Sequence, residues 1–339
     1  MAYDRMLWRM TEGFKQGCFR IGLNRLLSRC VNLPIILCFH RITPPSSSFF
    51  DRRLEAIAPQ QFEWILSYVG AMGYRFVPLE KMHADIQESR LLREAVVTFD
   101  DGFRDQYENA YPVLKRWRIP ATLFLITSTV DATSLLWLHK LYILLGHMDA
   151  QEAQAAVKDY VGREHAGLSF YEAVRRVVCS PDRARMHRFI DGLAQRLGWT
   201  SEEEARWARQ VYLTSEQIRV MRDNGVAVES HGHEHLPVDS VSPADIRRDI
   251  LQSTSWIEEH LGYRARFFGY PFGFVSPVSV QVLRELGCVG ACTTEHRPLR
   301  AGEDPFALPR VYRDGDHRAR FAWRFSGFYL GAMRERLFR

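Results

Sequence analysis

Short apolar runs rich in Val, Ile, Leu and Phe recur along the chain, and stretches with helical spacing fall between them. This alternation constrains the fold most, because β/α units gather their strands into a largely parallel sheet covered by helices. Strands are read at residues 34–40, 75–79, 95–101, 121–127, 226–230, 266–270 and 289–294, with a last short one at 308–312. Helical patterns lie at 60–72, 105–117, 215–224, 243–261 and 276–286. Ser242 and Pro243 read as the N-cap and first residue of the fourth of these, and Gly262 as its stop. Between 128 and 213 the alternation gives way to Ala, Arg, Glu and Leu at helical spacing (136–145, 151–161, 170–178, 183–197). That stretch is read as a helical insertion, a lid or a substrate-side wall.

The 339 residues suffice for one large domain or two ordinary ones without disulfide or metal staples. No uncharged apolar run approaches the ~18–20 residues needed to cross a bilayer. The opening MAYDRMLWRMTEGFKQ mixes charges with apolar residues and does not read as a secretory leader. Cys18, Cys30, Cys38, Cys179, Cys288 and Cys292 form no C-x-x-C pair, which is read as a reducing, cytoplasmic setting. Residues 1–40 carry six Lys/Arg against two acids, and 318–339 carry six Arg against Glu335. The remainder holds 33 basic and 37 acidic residues, so the basic surplus sits at the two ends. A nucleic-acid-binding body would show the reverse.

Three local patterns carry chemistry. In Val96-Val97-Thr98-Phe99-Asp100-Asp101-Gly102 a buried strand runs into two adjacent carboxylates. Neighbouring strand residues face opposite ways, so both acids can serve one site only where the strand ends and turns, as Gly102 permits. Alone, it reads more readily as a solvated Asp-Gly turn at a strand end. In Glu229-Ser230-His231-Gly232-His233-Glu234-His235, one turn brings His231 and His235 to one side. Two His plus one carboxylate suit a catalytic divalent cation, with His233 read as a supporting or solvent-facing residue. The third, Phe267-Phe268-Gly269-Tyr270-Pro271-Phe272-Gly273, ends an aromatic strand in a turn that can present a backbone N–H and an aromatic wall. All three fall at the C-terminal ends of strands, where β/α barrels and open α/β sheets carry their sites.

These residues resemble the polysaccharide deacetylases, the NodB-homology enzymes of carbohydrate esterase family 4. The resemblance rests on Thr98–Gly102, on the H-x-x-x-H of His231–His235 and on a variant P-[FY]-G at 268–273. Cys38-Phe39-His40-Arg41-Ile42 and Tyr212-Leu213-Thr214 resemble the bacterial cell-surface and exopolysaccharide branch. It covers residues 35–130 and 212–313. The fold it implies is α/β, a distorted (β/α) barrel of the NodB type with fewer than eight repeats, here with a helical insertion and terminal helices. The domain would span 34–313 with its insertion at 128–213, between a basic helical segment (1–33) and a basic amphipathic helix (314–339).

The resemblance also implies metal-dependent hydrolysis of an N-acetyl group on an amino-sugar glycan. Asp100 becomes the general base, and Asp101, His231 and His235 ligands of a divalent metal, Zn²⁺ first with Co²⁺, Ni²⁺ or Mn²⁺ as alternatives. The backbone N–H of Phe272 becomes an oxyanion donor, with Tyr270 and His40 on the substrate side. Three departures stand out. Gly269 occupies the position where many relatives have Arg, and the usual Leu-x-His acid and Asp-Trp pair are absent. Leu308-Pro309-Arg310 stands in that region, and Arg310 is expected to replace the missing charge and orient Asp100. His40 and His296 are the candidates for the acid.

Phe321, Phe325, Phe328, Tyr329 and Met333 fall near one helical face beside Arg320 and Arg324. This suits either an anionic membrane surface or a helix docked on the barrel. A cytoplasmic enzyme touching the inner leaflet would meet a lipid-linked or nascent glycan. Competing readings are a deacetylase or deformylase of a lipid-linked sugar, a non-catalytic carbohydrate-binding relative, and a two-His-one-carboxylate iron oxygenase. The β/α alternation and the Asp pair disfavour the last.

Overall fold

A computed structural model describes residues 33–44, 48–165, 167–312, 318, 319, 321 and 322. Its centre is β3 (Glu94–Asp101), buried over its whole length. β1 (Ile35–Phe39) lies parallel to it on one side, and β4 (Ala121–Leu125) on the other from Val97 onward. β2 (Arg75–Phe76) pairs with the first residues of β3. The sheet continues in parallel through β5 (Val226–Ser230), β6 (Phe267–Gly269) and β7 (Gly290–Cys292). Leu308 bridges to Cys292, while β8 (Val311–Tyr312) pairs with Leu37 and Cys38 of β1. One short segment therefore links the two edges and closes the distorted barrel.

Strand alternation sorts the side chains. Ile36, Val96, Phe124, Phe267, Cys292 and Leu308 pack together on one face. Ile35, Leu37, Ala95, Val97, Phe99 and Leu123 pack against α2 (Pro59–Ala71), α4 (Tyr111–Trp117) and α10 (Ser215–Arg222). α4 is entered through a π-helical turn at Gln106–Ala110. Around β6 and β7 lie α11 (Pro243–Leu261) and α12 (Pro277–Glu285). Ser242 caps α11 by accepting from the Asp245 N–H, and Gly262 ends it with φ 78°.

Between β4 and β5 run α5 (Trp137–His147), α6 (Ala150–Val161), α7 (Phe170–Val178), α8 (Arg183–Arg196) and α9 (Ser201–Val211). They share a core with α1 (Phe49–Arg53). The strand pattern misses α1, α9 and α3 (Leu79–Gln87), which begins behind an uncapped Pro78. The four cysteines among the described residues are unbridged, and no described helix is long and apolar enough to cross a membrane.

The basic segment 1–32 lies outside the described residues, as does most of 314–339. Of the aromatic face read in the C-terminal segment, only Phe321 is described. It is buried, edge-on to Trp64 and Tyr68. At this residue the ring is docked against α2, as the docked-helix alternative expects.

Candidate active site

The two carboxylates reach one site because the backbone turns over at the end of β3. Asp100 keeps the alternation of Val96 and Thr98 and faces the barrel interior. Asp101 would face the helices, but it takes φ 75° and Gly102 takes φ 86°. A left-handed conformation at a non-glycine residue is costly and concentrates at functional sites. At φ 86° a side chain at position 102 would be strained, and its Cβ would also press on Leu125 Cδ1 at 2.6 Å. Both aspartates are almost fully buried.

His231 follows β5, and the following Gly232 and His235 take φ 82° and 54°. Asp101 Oδ1 lies 3.4 Å from His231 Nε2 and 3.7 Å from His235 Nε2. The His231 Nδ1–H donates to the Gly269 carbonyl at 2.6 Å, which leaves the Nε2 lone pair for a ligand. Burial, then the neighbouring His231, lowers the His235 pKa to about 3, so this ring is a neutral donor. Burial would raise the pKa of Asp101, but the His231 hydrogen bond and the neighbouring imidazoles hold it below the ordinary carboxylate value. One carboxylate oxygen and two imidazole nitrogens within 4.8 Å of one another form a donor set that fits a divalent cation.

Asp100 stands beside this cluster. Arg310, fully buried, donates from Nη1 to Oδ1 at 2.6 Å and from Nη2 to Oδ2 at 2.8 Å. Its Nε–H donates to the Thr293 carbonyl, and its guanidinium stacks near Phe124 and Tyr312. Burial pushes the Asp100 pKa up, yet the charges of Arg310 and His231 hold it below the usual value. Gly269 has no room for a side chain: a Cβ there would lie 2.9 Å from both His231 Nδ1 and Phe124 Cγ. Arg310 delivers its cation to Asp100 from the segment just before β8.

The remaining sequence candidates divide. His40 Nε2 lies 3.7 Å from Asp100 Oδ2, on a side chain that keeps 21% of its exposure. His296 Nδ1 accepts the Tyr312 N–H at 3.0 Å, which ties that ring to the closing segment. His233 pairs with the Thr127 hydroxyl at 2.9 Å. Phe272, at φ 58°, sets its ring 4.6 Å from that of His235. Tyr270 needs correction as a substrate-side residue. Its side chain is fully buried among Phe268, Val282 and Leu283, because it follows the outward face of β6.

Three supports escaped the sequence reading. Gln106, in the π-turn, donates its amide to the carbonyls of His40 and Asp100 at 2.8 and 2.7 Å. Asp105 accepts from the Ile42 N–H and the Arg41 side chain, fixing the loop that carries His40. Asp249 accepts the Glu234 N–H at 2.6 Å and holds the His loop from α11. Polar residues early in a helix gave no distinguishing signal, since such residues are common there.

The family model described as polysaccharide deacetylase matches residues 90–291. The chain is 28% identical over 308 residues to a poly-beta-1,6-N-acetyl-D-glucosamine N-deacetylase of Staphylococcus aureus, covering 88% of this chain and 84% of that protein. It is 20% identical over 315 residues to the enzyme of that name from Staphylococcus epidermidis, covering 90% and 87%. Among solved structures, the fold is shared with the deacetylase PplD of Streptococcus pyogenes in complex with acetate. That likeness has TM-score 0.57 and 17% identity, over 87% of this chain and 98% of that one. It is shared too with IcaB from Ammonifex degensii, at TM-score 0.57 and 21% identity, over 88% and 97%.

Proposed function

The chain belongs to the polysaccharide deacetylase family, and from that premise we propose that it hydrolyses the N-acetyl group of an amino-sugar glycan during synthesis of a bacterial cell-surface polysaccharide. The observation that carries the reading is the meeting of Asp101, His231 and His235 with an Arg-held Asp100 beside them. These three residues would hold the cation, Zn²⁺ by their donor chemistry. Once bound, such an ion lowers the pKa of its water from ~16 toward ~7 and polarises the acetamide carbonyl.

The protein residues do the rest. Asp100, kept ionised by Arg310, accepts the proton of the attacking water. The Phe272 N–H donates to the carbonyl oxygen as charge develops there, a contact whose loss typically costs on the order of 10²-fold in rate. His40 gives a proton to the departing amine nitrogen, and its proximity to Asp100 favours it over His296. Water and amide become acetate and a free amine.

Action on a nascent or lipid-linked glycan at the inner membrane face belongs to the same proposal, supported by the basic surplus of the two ends. Liposome flotation with and without residues 323–339 tests the membrane contact, and equal flotation removes it. The activity itself is tested by metal analysis with acetate release from a panel of N-acetylated glycans and lipid-linked sugars. A metal-loaded protein that releases acetate from none of them would leave a carbohydrate-binding relative as the better reading.

A further inference from the structure

Asp101 has a second carboxylate oxygen that the two histidines do not share. Its Oδ2 lies 3.9 Å from Nε2 of His139, a residue of α5 in the helical insertion. His139 is completely buried. Its Nδ1 lies 2.9 Å from the Tyr212 hydroxyl, and that hydroxyl also accepts the Leu136 N–H at 2.9 Å. A phenol has one hydrogen, and among the described residues it meets no acceptor other than Nδ1 of His139, so it goes there while the oxygen accepts the Leu136 N–H. The single ring hydrogen therefore sits on Nε2, where no hydrogen-bond partner meets it and Asp101 Oδ2 stands in front. Phe50 and Phe103 flank the ring at 5.8 and 5.0 Å and fix its plane.

We propose that His139 is a positioning residue of the metal centre: it donates from Nε2 to Asp101 Oδ2, so that Oδ1 alone turns to the cation, while Tyr212 selects the tautomer. The separation exceeds a hydrogen bond, so the carboxylate must rotate toward the ring in the loaded site. The inference rests on the reading of Asp101, His231 and His235 as metal ligands. It makes the insertion part of the centre, since His139 and Tyr212 come from its two ends. Outer partners of metal ligands typically govern 10–100-fold in affinity.

The test is Zn²⁺ affinity of the full chain by competition with a chromophoric chelator, with thermal unfolding alongside. His139→Ala is expected to weaken Zn²⁺ binding about 10–100-fold, and Tyr212→Phe to weaken it by less. His139→Gln, whose amide oxygen and nitrogen can mimic the acceptor and donor of the ring, recovers most of the loss. A folded His139→Ala that binds Zn²⁺ as tightly as the parent overturns the proposal, as does a folded His139→Gln with no recovery. Where His139→Ala does not fold, Tyr212→Phe decides, and unchanged affinity there overturns it. Asp101→Asn separates the two readings. If that variant loses Zn²⁺ while the His139 and Tyr212 variants do not, only this inference fails. If it binds like the parent, the ligand reading fails and takes the inference with it.

Discussion

Arg310 grips Asp100 through two hydrogen bonds of 2.6 and 2.8 Å across 210 positions of sequence, with both side chains buried. Alone, burial would protonate the carboxyl more readily; the guanidinium reverses this. A lysine keeps the charge but not the planar fork. Arg310→Lys is expected to lower kcat on the order of 10²-fold through misplacement of Asp100. It also moves the acid limb of the kcat/KM profile to higher pH, because a carboxylate held less firmly has a higher pKa. An acid limb that stays in place would separate Arg310 from the ionisation of Asp100.

Metal retention and turnover should part company between neighbouring residues. Asp100→Asn keeps the donor set of Asp101, His231 and His235 and is expected to retain metal while losing hydrolysis. His231→Ala removes a donor and loses both. Full turnover in Asp100→Asn would show the base assignment to be wrong.

Much of this site was legible because the chemistry sits at strand ends. Val226–Ser230 and Pro243–Leu261 have the bounds that the apolar run, the Ser-Pro start and the Gly262 stop indicate. The adjacency of Asp100 and Asp101 required a turn, and the left-handed backbone at Asp101 supplies it. Tyr270 misled because three-residue β6 is too short for its two faces to be told apart by periodicity. His139 was invisible for another reason. Its sequence neighbours Leu138, Lys140 and Leu141 read as any amphipathic helix, and its partners Tyr212 and Asp101 come near only in the folded chain.

Gly269 is the narrowest point of the His231 support. An alanine methyl there would meet the His231 ring and Phe124 at 2.9 Å, and Phe124 Cβ at 3.1 Å. His231 would have to shift from the Gly269 carbonyl that sets its tautomer. Gly269→Ala is expected to weaken metal binding about tenfold or more, measured by chelator competition. Unaltered affinity would mean that the ring can be displaced without cost.

The two acid candidates are separable. His40 is beside Asp100, whereas His296 accepts a backbone N–H of the closing strand. Loss of a general acid costs typically 10²–10⁴-fold. His40→Ala should fall in that range in kcat with little change in KM, while His296→Ala should stay within about tenfold. The opposite ranking in steady-state kinetics would transfer the role to His296.

Glu229, one residue before Ser230 in β5, gives a pH dependence of stability. Burial pushes its pKa up to about 7, against the opposing N–H groups of Phe267 and Arg266. Both donate to Oε2, at 2.8 and 2.7 Å. An unfolded Glu titrates near ~4.3, so the folded protein holds the extra proton between these values. Stability contributed by the protonated form is complete below the unfolded pKa and is lost as pH rises toward 7, by on the order of 3 kcal/mol. Glu229→Gln offers one amide oxygen to the same two N–H groups and does not titrate. Its stability relative to the parent should therefore rise with pH between 5 and 8, measured as urea unfolding free energy at each pH. A constant difference across that range would show that Glu229 carries no proton in the fold.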